Sequence, residues 1–178
     1  MKAAARGVIA VLAALACLAP CVVCAASPEP GLDGTYVLDP AASDDVHRAI
    51  DALVAEMGGL RAPFARMRLR KLNQPPRRID VAYTGSEVSI TTDGRDVIRT
   101  SSDGRPVPWK RDDGEEFMVR TVWNGRTLQR TFVAEDGQRE NTYVFSRNGA
   151  TLTLRVVLTS PQLPGPLAYT LVYRRSTP

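Results

Sequence analysis

The chain offers few residues for bond-making chemistry. His47 is its only histidine, so a Ser–His–Asp relay would have to run through it, and no Gly-x-Ser-x-Gly elbow accompanies it. On a helix it falls beside the apolar stripe, as a surface residue would. The three cysteines, Cys17, Cys21 and Cys24, all lie in the first 26 residues. The rest of the chain therefore has no thiol nucleophile, and a metal centre of three or four ligands has no soft donors to draw on. Asp93, Asp112, Asp113 and Asp136 stand next to or near glycines, where an aspartate bonds its own backbone in a turn. The alternating oxygen ligands of a calcium loop are absent, as is a phosphate-cradling glycine loop. No metal and no cofactor is implied. Enzymatic chemistry ranks behind binding and behind a structural role.

Two arrangements of positive charge stand out instead. Arg130 sits in the strand-like run 126–134 with Leu128, Phe132 and Ala134 at alternate positions, so it shares their face. If that face is the interior, its guanidinium needs an internal carboxylate or an anionic ligand head, because an unpaired buried charge is costly. The second arrangement is the run Arg61, Arg66, Arg68, Arg70, Lys71, Arg77 and Arg78, with no acid between Leu60 and Ile79. Such a patch attracts an acidic ligand or an anionic lipid surface. Its plainer reading is a solvated face balanced by Asp44, Asp45, Asp51 and Glu56 of the preceding helix.

The elements that must position these residues are mostly strands. The clearest is Thr151–Thr159, in which Leu152, Leu154, Val156 and Leu158 alternate with Thr151, Thr153, Arg155 and Val157. That is antiparallel sheet with one wet face. Strands follow the same pattern over 78–84, 87–92, 95–100, 107–110, 116–123, 126–134, 138–146 and 167–174. Gly85-Ser86, Asp93-Gly94, Asn124-Gly125 and Asn148-Gly149 supply turns. A first strand covers 32–38. A helix over 44–57, capped by Ser43, carries a stripe of Val46, Ile50, Leu53 and Met57. A second helix is expected over 62–72, with Pro63 in its first turn. About ten strands joined in sequence would leave two long edges in an open sheet. An up-and-down antiparallel β-barrel of about 8–10 strands removes them. A two-sheet sandwich is the alternative.

Residues 1–26 read as a secretory signal: Lys2 and Arg6, an apolar run, and small residues Cys24-Ala25-Ala26 before Ser27. The nearest rival is lipoprotein processing at Cys21, which follows Leu18-Ala19-Pro20. Residues 27–31 form a linker, and 32–175 a single barrel domain. The expected location is periplasmic or secreted. Lys2 and Arg6 carry two of the four net positive charges, and the near-neutral remainder gives no argument for nucleic acid. The barrel is expected to be a monomer.

The triplet Gly34-Thr35-Tyr36 resembles the lipocalin Gly-x-Trp signature, with Tyr in place of Trp. That resemblance puts Arg174 or Arg175, at the end of the last strand, over Tyr36. The helix pair between the first and second strands is similar instead to the fatty-acid-binding proteins. In that family an Arg-x-Tyr pair on the last strand reads a fatty carboxylate; here Tyr173 is present and Leu171 stands where the arginine would be. The resemblance implies a small apolar or amphipathic ligand inside the barrel. Its expected lining is Leu128, Phe132, Leu152, Leu154, Val156 and Tyr169, with Arg130 as polar anchor. In the second reading the barrel is filled with side chains, and the protein acts through its surface on an envelope protein or anionic lipid.

Overall fold

The computed structural model describes residues 29–59 and 61–176. The signal segment, Cys21 and the start of the linker lie outside the described residues. Ten antiparallel strands form one sheet: β1 (Gly34–Leu38), β2 (Arg78–Thr84), β3 (Glu87–Thr92), β4 (Arg95–Ser101), β5 (Val107–Lys110), β6 (Glu116–Asn124), β7 (Thr127–Ala134), β8 (Gly137–Phe145), β9 (Thr151–Thr159) and β10 (Leu167–Arg175). The order across the sheet is β4-β3-β2-β1-β10-β9-β8-β7-β6-β5. Every neighbouring pair but β1–β10 is consecutive in sequence. Two helices, α1 (Val46–Ala55) and α2 (Arg61–Leu72), lie between β1 and β2.

The alternation read from sequence becomes the inside and outside of a nearly closed barrel. Ile79, Val81, Val88, Ile90, Leu128, Tyr143, Phe145, Leu152, Leu154, Val156, Leu167, Tyr169, Leu171 and Tyr173 fill one continuous core, which Val46, Ile50 and Val54 of α1 and Leu69 of α2 extend. A smaller cluster of Ile98, Val119 and Phe132, with Val107, Trp109 and Phe117 against it, stands apart.

Two local expectations need correction. Helix α1 begins two residues later than expected, and its cap is Asp45, whose carboxylate accepts from Arg48 N at 3.1 Å. Ser43 and Asp44 are occupied elsewhere. Ser43 Oγ accepts from Val172 N at 2.9 Å and Asp44 Oδ2 accepts from Thr170 N at 2.7 Å, so they satisfy β10 amides beyond the end of β1. The β6–β7 turn is Gly125-Arg126 rather than Asn124-Gly125, since Asn124 pairs with Thr127. Gly125 has φ +56, as the first position of a type II′ turn requires. The expected turn would have set Arg126 against Trp123 on the inner face. The observed one pairs Trp123 with Leu128 and leaves Arg126 free to reach Glu29 at 3.6 Å.

At the closed end, Arg175 lies over the Tyr36 ring, 5.9 Å from its centroid, and its guanidinium donates to the carbonyls of Gly31 and Asp33. Arg174 turns out to Asp39 at 2.7 Å. Phe145 meets Tyr36 edge-on and stacks on Trp123 at 5.7 Å.

Strands β4 and β5 do not pair, which leaves a seam between them. The strap that follows β4 crosses it. Trp123 N donates to Ser102 O at 3.1 Å and Gly104 N to Thr121 O at 2.8 Å. Within the strap, a hydrogen bond from Ser101 first, then the main chain and guanidinium of Arg105, hold the Asp103 carboxyl down at about 2. Its contribution is complete above the ordinary value of 3.8 and is lost as pH falls through about 2. An NMR titration of Asp103 should show that midpoint, with the Gly104 amide following; a midpoint near 4 would refute it.

Candidate functional site

A cavity of about 800 Å³ lies at the open end under α2. Three strand connections complete its wall: the β5–β6 turn with Arg111 and Glu115, the β7–β8 turn with Asp136, and the β9–β10 loop with Pro161 and Leu163. Phe64, Leu69 and Leu72 of α2, with Phe117, Leu158 and Leu163, make the surface largely apolar. Helix α2 is held in place over it. Asp51 of α1 accepts from Arg66 at 3.0 Å and from Arg70 at 2.7 Å. Arg68 stands 4.0 Å from Asp136 across the mouth.

One polar group on the inner wall is of particular interest. Arg139 of β8 is paired with Phe132 and Leu158 on either side, so it points inward. Its Nε donates to Asn141 Oδ1 at 3.0 Å, Nη1 to Asn73 Oδ1 at 3.0 Å, and Nη2 to Tyr169 OH at 3.2 Å. All three acceptors are neutral. The Tyr169 hydroxyl has its pKa raised, chiefly by burial and against the pull of Arg139, so it stays a protonated donor to Asn73 Oδ1 at 3.2 Å. Of the other arginines that line the cavity, Arg61 is exposed on α2, and two face carboxylates. Arg111 is paired with Asp113 and Glu115, and Arg68 faces Asp136.

The residues expected from sequence are placed otherwise. Arg130 does face the interior and is 1% exposed, but it meets neither a carboxylate nor the cavity. It donates to Thr121 Oγ1 at 2.9 Å, Thr100 Oγ1 at 3.2 Å and Ile98 O at 3.3 Å. Thr100 Oγ1 donates in turn to Thr121 Oγ1 at 2.7 Å. The guanidinium thus ties β7 to β4 beneath the seam. Burial pulls its pKa down to about 10, which leaves it cationic at neutral pH. Leu128, Leu152, Leu154, Val156 and Tyr169 stand in the main core and Phe132 in the smaller one. None of them borders the cavity. Among the described residues no cluster of His, Asp or Glu suits a metal ion. His47 is exposed.

Of the basic run, Arg61 and Arg68 line the cavity, Arg66 and Arg70 are spent on Asp51, and Arg78 pairs with Asp80 at 2.8 Å. Lys71 and Arg77 are exposed. Arg139 and Asn73 were not singled out in the sequence. Alternation through Tyr143 and Phe145 does place residue 139 on the inward face, but Asn141 interrupts the apolar pattern there.

No protein-family model matches the chain, and no curated protein sequence matches it. Solved structures do. A protein titled REP1-NXSQ fatty acid transporter aligns over 83% of this chain and 97% of its own, with a TM-score of 0.53 at 12% identity. A Schistosoma mansoni fatty acid binding protein in complex with arachidonic acid aligns over 82% and 96%, with a TM-score of 0.53 at 13%. Human cRBP IV aligns over 82% and 98%, with a TM-score of 0.51 at 16%. At these identities the likeness is one of fold: a nearly closed antiparallel barrel of ten strands, with a helix pair between the first strand and the second in this chain.

Proposed function

We propose that the protein binds a small amphipathic anion of the fatty-carboxylate kind in the cavity under α2, with the head on Arg139. The observation that carries this reading is a guanidinium on the wall of an apolar cavity whose acceptors are all neutral. A guanidinium has five N–H donors and no acceptor, so two remain for a ligand, one on each Nη. A carboxylate suits that fork. The hydrophobic wall accounts for the tail. The barrel likeness to fatty-acid carriers supports the same reading. The test is displacement of a fluorescent fatty-acid probe by oleate and by oleyl alcohol. Both should compete, with oleate at least tenfold stronger; failure of both to bind overturns the proposal. We place this binding outside the cytoplasm on the strength of segment 1–26. The mature protein should then begin at Ser27, and a mature N-terminus at Cys21 would instead make it lipid-anchored.

A second reading is favoured by the edge of α2 at the cavity mouth. Phe64 is 69% and Met67 65% exposed, and both share a helical face with Arg61, Arg68 and Lys71, all exposed. Apolar side chains flanked by cations suit the surface of an anionic bilayer. Docking there would set the cavity mouth against the lipid. Vesicles with anionic headgroups should sediment the protein, and neutral ones should not. Phe64→Ser with Met67→Ser should weaken that binding by about a hundredfold or more, since the two large apolar side chains contribute roughly 1.5–3 kcal/mol each when buried. Equal binding to neutral vesicles would refute this reading.

A further inference from the structure

We infer that Asn73 couples helix α2 to the ligand's head group, so that closing the mouth and aiming Arg139 are one event. The inference rests on the reading that the cavity takes an amphipathic anion. Asn73 follows directly on α2 and is 2% exposed. Its main-chain N and its Nδ2 both donate to Leu69 O at 2.9 Å, which secures the last turn of the helix. Its Oδ1 points the other way and accepts from Arg139 Nη1 at 3.0 Å and Tyr169 OH at 3.2 Å. One amide thus joins the C-terminus of the roof helix to the guanidinium on the wall.

The chemistry of this amide fits a positioning role. A carboxylate at position 73 would hold Arg139 equally well but would neutralise it and compete with an incoming anion. An aliphatic residue would remove the side-chain bond to Leu69 O, leaving only the main-chain one on the last turn of α2, and would let the guanidinium swing. Asparagine orients the cation and leaves its charge available. Asn141 does the same for Nε at 3.0 Å. Because α2 and Arg139 share this one partner, an anion on the guanidinium should stabilise the closed helix, and the closed helix should raise affinity for the anion by the same factor.

The test compares wild type with Asn73→Asp and Asn73→Ala, using oleate and oleyl alcohol as probes and amide hydrogen exchange over residues 61–72 as the second readout. In wild type, oleate should slow exchange across α2 and oleyl alcohol should do so much less. Asn73→Asp is isosteric and keeps an acceptor for Arg139, but its second oxygen cannot donate to Leu69 O, so the readout is the ratio of oleate to oleyl alcohol affinity within each variant. For Asn73→Asp that ratio should fall at least tenfold, and oleate should no longer protect α2. Asn73→Ala should speed exchange of α2 without ligand and weaken oleate more than the alcohol. Retention by both variants of the oleate preference and of oleate-induced protection would overturn the coupling and leave the binding reading intact. Wild type that binds neither probe would overturn the binding reading, and the coupling with it.

Discussion

Replacing Arg139 with methionine is expected to lower affinity for oleate about 10- to 100-fold and to leave affinity for oleyl alcohol within about twofold. Hydrogen bonds to a charged group contribute roughly 1.5–3 kcal/mol, which sets that range. Methionine retains most of the stem that lies between Phe132 and Leu158, so the wall keeps its shape and only the head-group reader is removed. The same change at Arg130 is the control. That guanidinium is buried beneath the seam among Thr100, Thr121 and Ile98, away from the cavity, and Arg130→Met should leave both affinities unchanged. A buried cation with neutral partners is dear to desolvate, so the Arg130 variant should be no less stable than wild type by more than about 1 kcal/mol, the range of an ordinary hydrogen bond. Equal losses for oleate and oleyl alcohol in Arg139→Met would show that residue 139 shapes the wall rather than reading charge.

Trp123→Ala is the largest stability effect expected, about 3–5 kcal/mol, the range for removing a buried aromatic. Trp123 is 1% exposed. It stacks on Phe145 at 5.7 Å, meets Tyr83 edge-on at 5.4 Å and donates from Nε1 to Gly125 O at 3.0 Å. Its main-chain N holds the strap at Ser102. The cavity left would therefore open where the closed end of the barrel meets the seam, two places the backbone cannot collapse to fill. Trp109, half-buried against Phe117 and Phe132, should cost clearly less on the same change. Urea unfolding of the two variants decides it; a loss under about 1 kcal/mol for Trp123→Ala, within the range of surface substitutions, would mean this end is not packed as described.

Much of the scaffold was legible because a strand's period is two. The Thr151–Thr159 strand has the residues and the inward face read from sequence, and Arg130 was placed inside by the same count. Height along the barrel axis was not legible. Leu154 in the packed core and Arg139 at the cavity are both inward residues, and alternation treats them alike. What separates them is the roof, and the roof depends on α2 being drawn over the mouth by Asp51 and Asn73, contacts between residues far apart in sequence. The turn at Gly125-Arg126 was missed for a related reason. Asn-Gly is the stronger local signal, but the register is set by keeping Arg126 away from Trp123, which is a matter of the interior rather than of the turn.

The sheet order has a consequence for how the chain could be rearranged. Because the first and last strands lie side by side and the ladder stops between the fourth and fifth, joining the native ends and cutting between Gly104 and Arg105 would give a permuted chain whose strands follow one another in the same order as they sit in the sheet. The β1–β10 pairing would become a hairpin, while the strap's bonds to Thr121 and Trp123 and the bonds of Arg130 to β4 would come to join opposite ends of the chain, so the permutation exchanges one distant closure for another. Sealing the seam, which in the wild-type chain is a contact between segments close in sequence, would be the slow long-range step of the permutant.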